Sequence, residues 1–583
     1  MKDFIKYTLA TMLGVVILTL FAGLMMVVMA ISVSLTDTQK LENGSVLRIQ
    51  LTGQLVDRTV KDPWAELFHT NTLAEQNVHQ LKRAIAEAKT NTKVKGIYLE
   101  GGSISGSYAL LQELRQSLVD FAQTKPIYAY SEDYTQAGYY IASTAKTVTL
   151  NPMGTLNWHG IAAQPIFFKD LLEKVGVKVQ VFKVGTFKSA VEPFINTEMS
   201  EPNRLQVTAY IRSIWDNVVK EVAASRHLPV AHLDSVANNY LLFGQTADYK
   251  ALKLIDEAKY IDEVRSDLNK LFGEVKFASP ATVLNDADEK DGDKAVAVYY
   301  CEGDIVGAMA DNDYNTKGLI IGSRVVEDLD KLAKDDEVGA VVLRINSGGG
   351  SAYASEQMWR AITKLREQKP VVVSMGGVAA SGGYYMSAPA NFIYAQPTTL
   401  TGSIGIFGMI PDASGLLTEK LGLHFDVVKT HRASDFGSMG RGLNAEESTA
   451  LQQYINRGYH TFLTRVKDGR RFSSLAEVDS IAQGRVWTGE QALKIGLVDA
   501  LGSLDDAIAK AAELAKIKDY YILDAQTETS WWETLKHQAT GEDYLERKVK
   551  AILGVYYEPL RWTMTLEERD RLQARMPYEL NIR

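Results

Sequence analysis

The chain has 583 residues, with 63 lysines and arginines against 71 aspartates and glutamates, a formal net charge of -8. At about 150 residues per domain this predicts roughly four domains, or two to three large α/β units. With 46% hydrophobic residues and only 14 prolines the chain buries real cores, which excludes disordered and collagen-like classes. The charge balance gives no global pull toward nucleic acid, and a single cysteine, Cys301, excludes an intramolecular disulfide and any zinc site built on two or four thiolates.

The first predicted element is a membrane-spanning helix. Tyr7 to Thr36 runs for thirty residues without a charged side chain, enough to cross a hydrocarbon layer of about 30 Å at 1.5 Å per residue. Lys2 and Lys6 precede the run and Asp37 is the first charge after it, so the short N-terminus is expected in the cytoplasm and the bulk of the chain across the membrane. The alternative is a cleaved secretory signal, for which Val28-Met29-Ala30 offers small residues at a processing site. The length of the run favours the anchor.

Beyond it the sequence is written twice. VKGIYL at 94–99 and VGAVVL at 338–343 are short β-branched runs suited to buried parallel strands. Lys125-Pro126 matches Lys369-Pro370 at a shift of 244 residues, AGYYIASTA at 137–145 matches GGYYMSAPA at 382–390 at 245, and Ala251-Leu252-Lys253 matches Ala492-Leu493-Lys494 at 241. The expected organisation is an N-terminus and anchor at 1–44, a first unit at 45–265, a connector at 266–293, a second unit at 294–515 and a tail at 516–583. The connector ends in a polar run, Asn285 to Asp293, that reads as a solvated link. In the second unit Ala295–Tyr300 and Val341–Ile345 are strand-like, Ser355–Arg366 has helical periodicity before Val371–Val373, and a long helix is predicted within 442–468. Strands alternating with helices argue for a layered α/β fold with right-handed crossovers. In the tail, Trp531, Trp532 and Leu535 fit packing on a neighbour, on a bilayer surface or in a helical core.

Two glycine-rich corners set the second unit apart. Arg344-Ile345-Asn346-Ser347-Gly348-Gly349-Gly350-Ser351 follows a strand and precedes a helix, where backbone amides can face a developing negative charge, or where the turn is merely tight. It lacks the Gly-Lys-Ser/Thr ending of a phosphate loop. The second corner, Gly376 to Tyr385, surrounds Ser381 with small residues and leaves its hydroxyl uncrowded, as a nucleophile requires; packing of small residues explains the same composition. Ala379 breaks the Gly-x-Ser-x-Gly elbow of α/β-hydrolases. In the first unit the position of Ser381 is held by Gln136, so if a nucleophile operates, only the second unit retains it. For the base, His431 and Asp435 offer a triad with Ser381, while Lys188, among apolar neighbours in Val184 to Phe194, offers a lysine whose pKa an apolar site would lower, though the local sequence alone favours an ordinary surface lysine there.

At these residues the chain resembles the long, duplicated form of signal peptide peptidase A, a bacterial serine peptidase family with a serine-lysine dyad. The resemblance covers roughly residues 1–510 and rests on Gly185 to Ala190, the serine corner, Thr401 to Gly405, and Arg485 to Ala492 leading to Gly496-Leu497-Val498-Asp499. It implies tandem crotonase/ClpP-like α/β units following the transmembrane helix, with Ser381 as nucleophile, Lys188 as base, Ser403 orienting the lysine, and the site formed between the repeats. Oxyanion amides are implied at Gly349, with Gly382 as a second contributor. Many members carry proline where this chain has Gly348, which bears on the rigidity of that corner. The resemblance also implies a membrane-anchored endopeptidase on the outer or periplasmic side of the bacterial inner membrane, a homotetramer, held in the lipid bilayer through residues 7–36 and degrading released signal peptides and other unfolded apolar peptides. It calls for no cofactor, metal or nucleic acid. The competing readings are an acyl-CoA hydratase-like enzyme and a non-catalytic membrane scaffold.

Overall fold

Strands of β-branched residues buried on both faces order the chain. The structure is a computed structural model that describes residues 6–8, 11–21, 23, 40–59, 74–287, 292–308, 318–438, 440–526 and 572–576. The described residues divide into two compact units, the first drawn from 1–105, 114–158 and 240–289, the second from 106–113, 159–239 and 290–583.

In the first unit a parallel sheet runs in the order Glu257–Ala258, Thr147–Leu150, Ile127–Ser131, Val94–Glu100, Ser45–Gln50 and Lys276–Ala278. The edge strand Lys276–Ala278 falls within the expected connector at 266–293 and the helix Ile261–Phe272 runs into it; Val264, Leu268 and Phe272 pack on Val46, Tyr98 and Tyr130. Of the polar run, residues 288–291 lie outside the described residues.

The second unit repeats that order. Ala500–Leu501, Phe392–Ala395, β5 (Val371–Ala380), β3 (Val338–Ser347), β2 (Lys294–Glu302) and the edge strand Tyr520–Asp524 pair in parallel. Near-continuous burial along VGAVVL and VVVS accounts for this: a strand covered on both faces gains from Val and Leu at every position. Between β3 and β5 the register slips by two residues, from Ile345 opposite Met375 to Ser347 opposite Ala379. Gly376 and Gly377 thus form a bulge that re-aims the end of β5. Past it β5 changes partner and pairs through Val378, Ala379 and Ala380 with β6 (Leu400–Gly402), which pairs in turn with β8 (Val486–Thr488). A second sheet holds β1 (Lys178–Lys183), β7 (Phe407–Asp412), β9 (Leu572–Arg575), β4 (Gly349–Ser351), Asp304–Val306 and Leu319–Ile321.

The expectation of a membrane-spanning N-terminal helix is corrected. Among the described residues no helix is long and apolar enough to cross a membrane. The remainder of 7–36, and Trp531, Trp532 and Leu535, lie outside the described residues. The bilayer contact through residues 7–36 and the single-pass inner-membrane placement with an external catalytic part rested on that helix and fall with it.

Arg344 shows how strictly this core is matched. Its guanidinium is buried beside fully buried Glu113 at 2.8 Å, and it also donates to Ser374 Oγ at 2.7 Å and to the Met375 carbonyl at 3.2 Å. Removing one member of such a pair leaves a charge with neither water nor counterion. Glu113→Ala is expected to cost about 3–5 kcal/mol, read as the shift in a denaturant unfolding curve; a loss below about 1 kcal/mol would contradict the pairing.

Candidate active site

Register alone sets two serines side by side. Ala380 pairs with Gly402, so the next residues, Ser381 and Ser403, leave neighbouring strands together. The Ser381 amide donates to the Gly402 carbonyl at 2.8 Å, and the Ser403 amide to the Arg485 carbonyl at 2.7 Å. Both serines have positive φ, 54° and 48°. For Ser381, with ψ -111°, this is a region that a residue with a β-carbon enters at a cost of about 1–3 kcal/mol. Its hydroxyl is presented at the start of the short helix α2 (Gly382–Ser387), whose glycines lie against Ser347 and Ser355.

The lysine arrives from another direction. β1 pairs antiparallel with β7, Lys183 facing Phe407, and Val184 N continues the ladder to the Ile406 carbonyl at 3.2 Å. The chain then turns at Gly185 (φ 103°), and Phe187 N donates to the Gln483 carbonyl at 2.8 Å. This brings Lys188 Nζ to 2.7 Å from Ser381 Oγ, 3.0 Å from the Ser403 carbonyl oxygen and 3.1 Å from Ser403 Oγ. Gly484 and Gly405 make room: a methyl group on Gly484 would sit 2.6 Å from Lys188 Cβ, and one on Gly405 would sit 3.1 Å from its Cδ. Lys188, Ser381 and Ser403 are each 0% exposed. Burial alone pushes the Lys188 pKa well below the usual 10.5, with no carboxylate among the described residues contributing.

Gly349 and Gly382 also come together. A methyl group on Gly349, at φ 102°, would sit 2.7 Å from the Gly382 nitrogen. The Gly349 amide here donates to Ser347 Oγ at 3.1 Å. Gly348 stays outside the left-handed region, so the conformational freedom of glycine is not drawn on there. His431 and Asp435 do not join the site: His431 Nδ1 lies 3.1 Å from Thr430 Oγ1, and Asp435 is paired with Lys429 and Arg441, which hold its carboxyl below the usual range. Gln136 is buried at the start of the helix Gln136–Ala142 in the first unit.

Sequence reasoning missed Gln206. From the 26-residue helix α1 (Glu201–Arg226) its amide donates to the Phe187 carbonyl at 3.0 Å and to Ser189 Oγ at 3.1 Å, while its oxygen accepts from Val486 N at 3.1 Å. It ties the lysine turn to β8. Arg485 stacks on Phe187 and Trp487, with its guanidinium 5.1 and 4.1 Å from the ring centres. The sequence signal for Gln206 is no more than a polar residue on the buried face of a helix.

Peptidase family S49 matches twice, over residues 120–274 and 363–518. The chain belongs to that family. It is 36% identical to Protease 4 of Salmonella typhi over 87% of this chain and 84% of that protein, and 33% identical to Protease 4 of Haemophilus influenzae over 85% and 83%. The chloroplastic serine protease SPPA of Arabidopsis thaliana is 29% identical over 82% and 70%. This S49 peptidase is duplicated and has serine endopeptidase activity of the Protease 4 type. Two expectations are corrected here. A solved ClpP1 mutant from Listeria monocytogenes aligns over 36% of this chain and 94% of its own, with a TM-score of 0.24 and 14% identity, which carries no argument. Of the expected fold class, the two family matches support an α/β fold with duplicated peptidase domains and not the finer crotonase/ClpP-like label. The homotetramer has no observation behind it and is withdrawn.

The buried amine has a thermodynamic signature. Its folded pKa lies below the unfolded value of 10.5, so between the two values the unfolded chain holds a proton that the folded chain lacks, and stability rises with pH across that window. Lys188→Met keeps the apolar stem without the titration. It is expected to exceed the parent in stability near neutral pH, the advantage shrinking by about 1.4 kcal/mol per pH unit as pH climbs toward the unfolded value. Denaturant unfolding across pH measures this, and a pH-independent difference would contradict a neutral buried lysine.

Proposed function

We propose that this peptidase hydrolyses peptide bonds with Ser381 as nucleophile, Lys188 as general base and acid, and Ser403 as the group that orients the lysine. One observation carries the reading: a fully buried amine 2.7 Å from a serine hydroxyl, with no carboxylate partner among the described residues. A neutral amine has two N–H donors and one lone pair. The Ser403 carbonyl can only accept, so it takes one N–H, and Ser403 Oγ takes the other. The lone pair is left for the Ser381 proton.

The chemistry follows from that allocation. Lys188 Nζ removes the hydroxyl proton as Ser381 Oγ bonds to the substrate carbonyl carbon, and the carbonyl π electrons move to oxygen. The amides at Gly349 and Gly382 are suited to stabilise that oxyanion, the first after exchanging Ser347 Oγ for it. The resulting ammonium protonates the departing amine as the C–N bond breaks. Water, deprotonated by the same amine, then attacks the ester and frees Ser381. The strained backbone of Ser381 is maintained by the β5–β6 pairing and holds Oγ in place between steps.

Ser381→Ala and Lys188→Ala are each expected to fold and to lose peptide hydrolysis by at least about 10³-fold. In the parent, kcat/KM should rise with pH through the depressed Lys188 pKa, well below 10.5. Retained turnover of a fluorogenic peptide in either purified variant would refute the assignment.

A further inference from the structure

Arg485 opens the segment Arg485 to Ala492, one of those on which the family resemblance rests, and its backbone is built into the site. Gly402 pairs with Val486, and Ser403 N donates to the Arg485 carbonyl at 2.7 Å, so Arg485 stands opposite the serine that meets the lysine. Its side chain takes no part in the proton transfers. The guanidinium lies instead on two rings, 5.1 Å from the centre of Phe187, the neighbour of Lys188, and 4.1 Å from that of Trp487. Aromatic faces attract a guanidinium through its own flat face, which leaves the N–H donors directed outward in its plane.

Those donors meet no acceptor among the described residues. Arg485 has no side-chain hydrogen bond or ion pair there, and burial alone lowers its pKa, with no carboxylate contributing. Arg465 of the same unit shows what completes such an arrangement. Its guanidinium lies 3.7 Å from the ring centre of Trp359, and its edge donates from Nε at 3.2 Å and from Nη2 at 2.5 Å to the two oxygens of Glu356. Both arginines are half-buried and stacked. One has its carboxylate within the chain; the other presents the same fork without one. Parallel N–H bonds from a planar fork match the two oxygens of a carboxylate, and stacking fixes the fork beforehand, so little freedom is lost on binding.

We propose that the Arg485 guanidinium, held on Phe187 and Trp487, is a binding site for a carboxylate of the peptide that this enzyme acts on, supplied by its free C-terminus or by an acidic side chain. The inference rests on the reading of Lys188, Ser381 and Ser403 as the catalytic group and adds a charged determinant of peptide choice to it. The placement supports a peptide as the source of the anion: Phe187 precedes the base and Arg485 faces the serine that orients it, so a ligand of Arg485 is held beside the reacting groups.

The test uses the full-length chain carrying Ser381→Ala and four N-terminally labelled peptides. Ala-Leu-Ala-Leu-Ala is compared as free acid and as C-terminal amide, and amidated Ala-Leu-Glu-Leu-Ala is compared with amidated Ala-Leu-Gln-Leu-Ala. Fluorescence anisotropy is expected to show about tenfold tighter binding of the carboxylate member in one pair, and the pair that shows it identifies the source. That preference should vanish in Arg485→Met, which keeps an apolar stem against the rings, and shrink in Arg485→Lys, which keeps the charge without the fork. The neutral peptides should bind these variants and the parent alike, which separates a lost anion site from a damaged fold. Equal binding within both pairs, or a preference that survives Arg485→Met, would overturn the proposal; the first of these outcomes is read with Arg485 intact. Binding is measured without turnover, so an error in the nucleophile assignment shows separately, as hydrolysis that survives Ser381→Ala.

Discussion

The contact on which the rest of the second unit depends is that between the Lys188 amine and the Ser381 hydroxyl, made where water is excluded. An ammonium there would have no counterion among the described residues, and burial disfavours the charged form. The fold carries that cost by closing the surroundings tightly: two glycines admit the lysine stem, Gln206 clamps its turn, and the β5–β6 pairing holds Ser381 in a backbone conformation it would not choose. Each of these features is unfavourable or neutral in isolation. Together they leave a lone pair facing one hydroxyl.

The same constraint explains the difference between the two halves. Both build the same order of parallel strands, yet in the first unit Gln136 stands where Ser381 stands in the second. The extra elements of the second unit add a second sheet to the layered one. The bulge at Gly376-Gly377 lets β5 leave its first partner and meet β6, and the second sheet holds β1, which leads to Lys188, and β4, whose Gly349 lies against Gly382. The geometry of the candidate site thus arises from irregularities in a regular scaffold, where bulges and positive φ values concentrate.

Much of this is legible in the residues. The strand runs at 94–99 and 338–343 and the helical pattern at 355–366 announce themselves through periodicity, because burial on two faces or one stripe leaves a compositional trace. Ser381 is marked by its small neighbours and by the loss of its counterpart in the other copy. Lys188 is less distinct: from local pattern it competes with His431 and Asp435, and family resemblance rather than periodicity favours it. Gln206 is not legible, since a polar residue on a buried helix face has no signature until its partners are known. The apolar run at 7–36 shows the opposite failure: its composition meets the length criterion for a spanning helix, yet among the described residues no helix is long and apolar enough to cross a membrane.

The sequence by itself determined the alternation of strands and helices, the duplication and the identity of the uncrowded serine, because these depend on residues close together along the chain. The tertiary structure alone decided that Lys188, 193 positions away, meets that serine, that Ser403 accepts from the amine, and that a strand from residues 572–576 lies against Gly349 and Gly382. Such pairings are settled by strand register and by the exclusion of water. Neither is encoded in any local stretch; both are properties of surfaces that exist only once the chain has closed on itself.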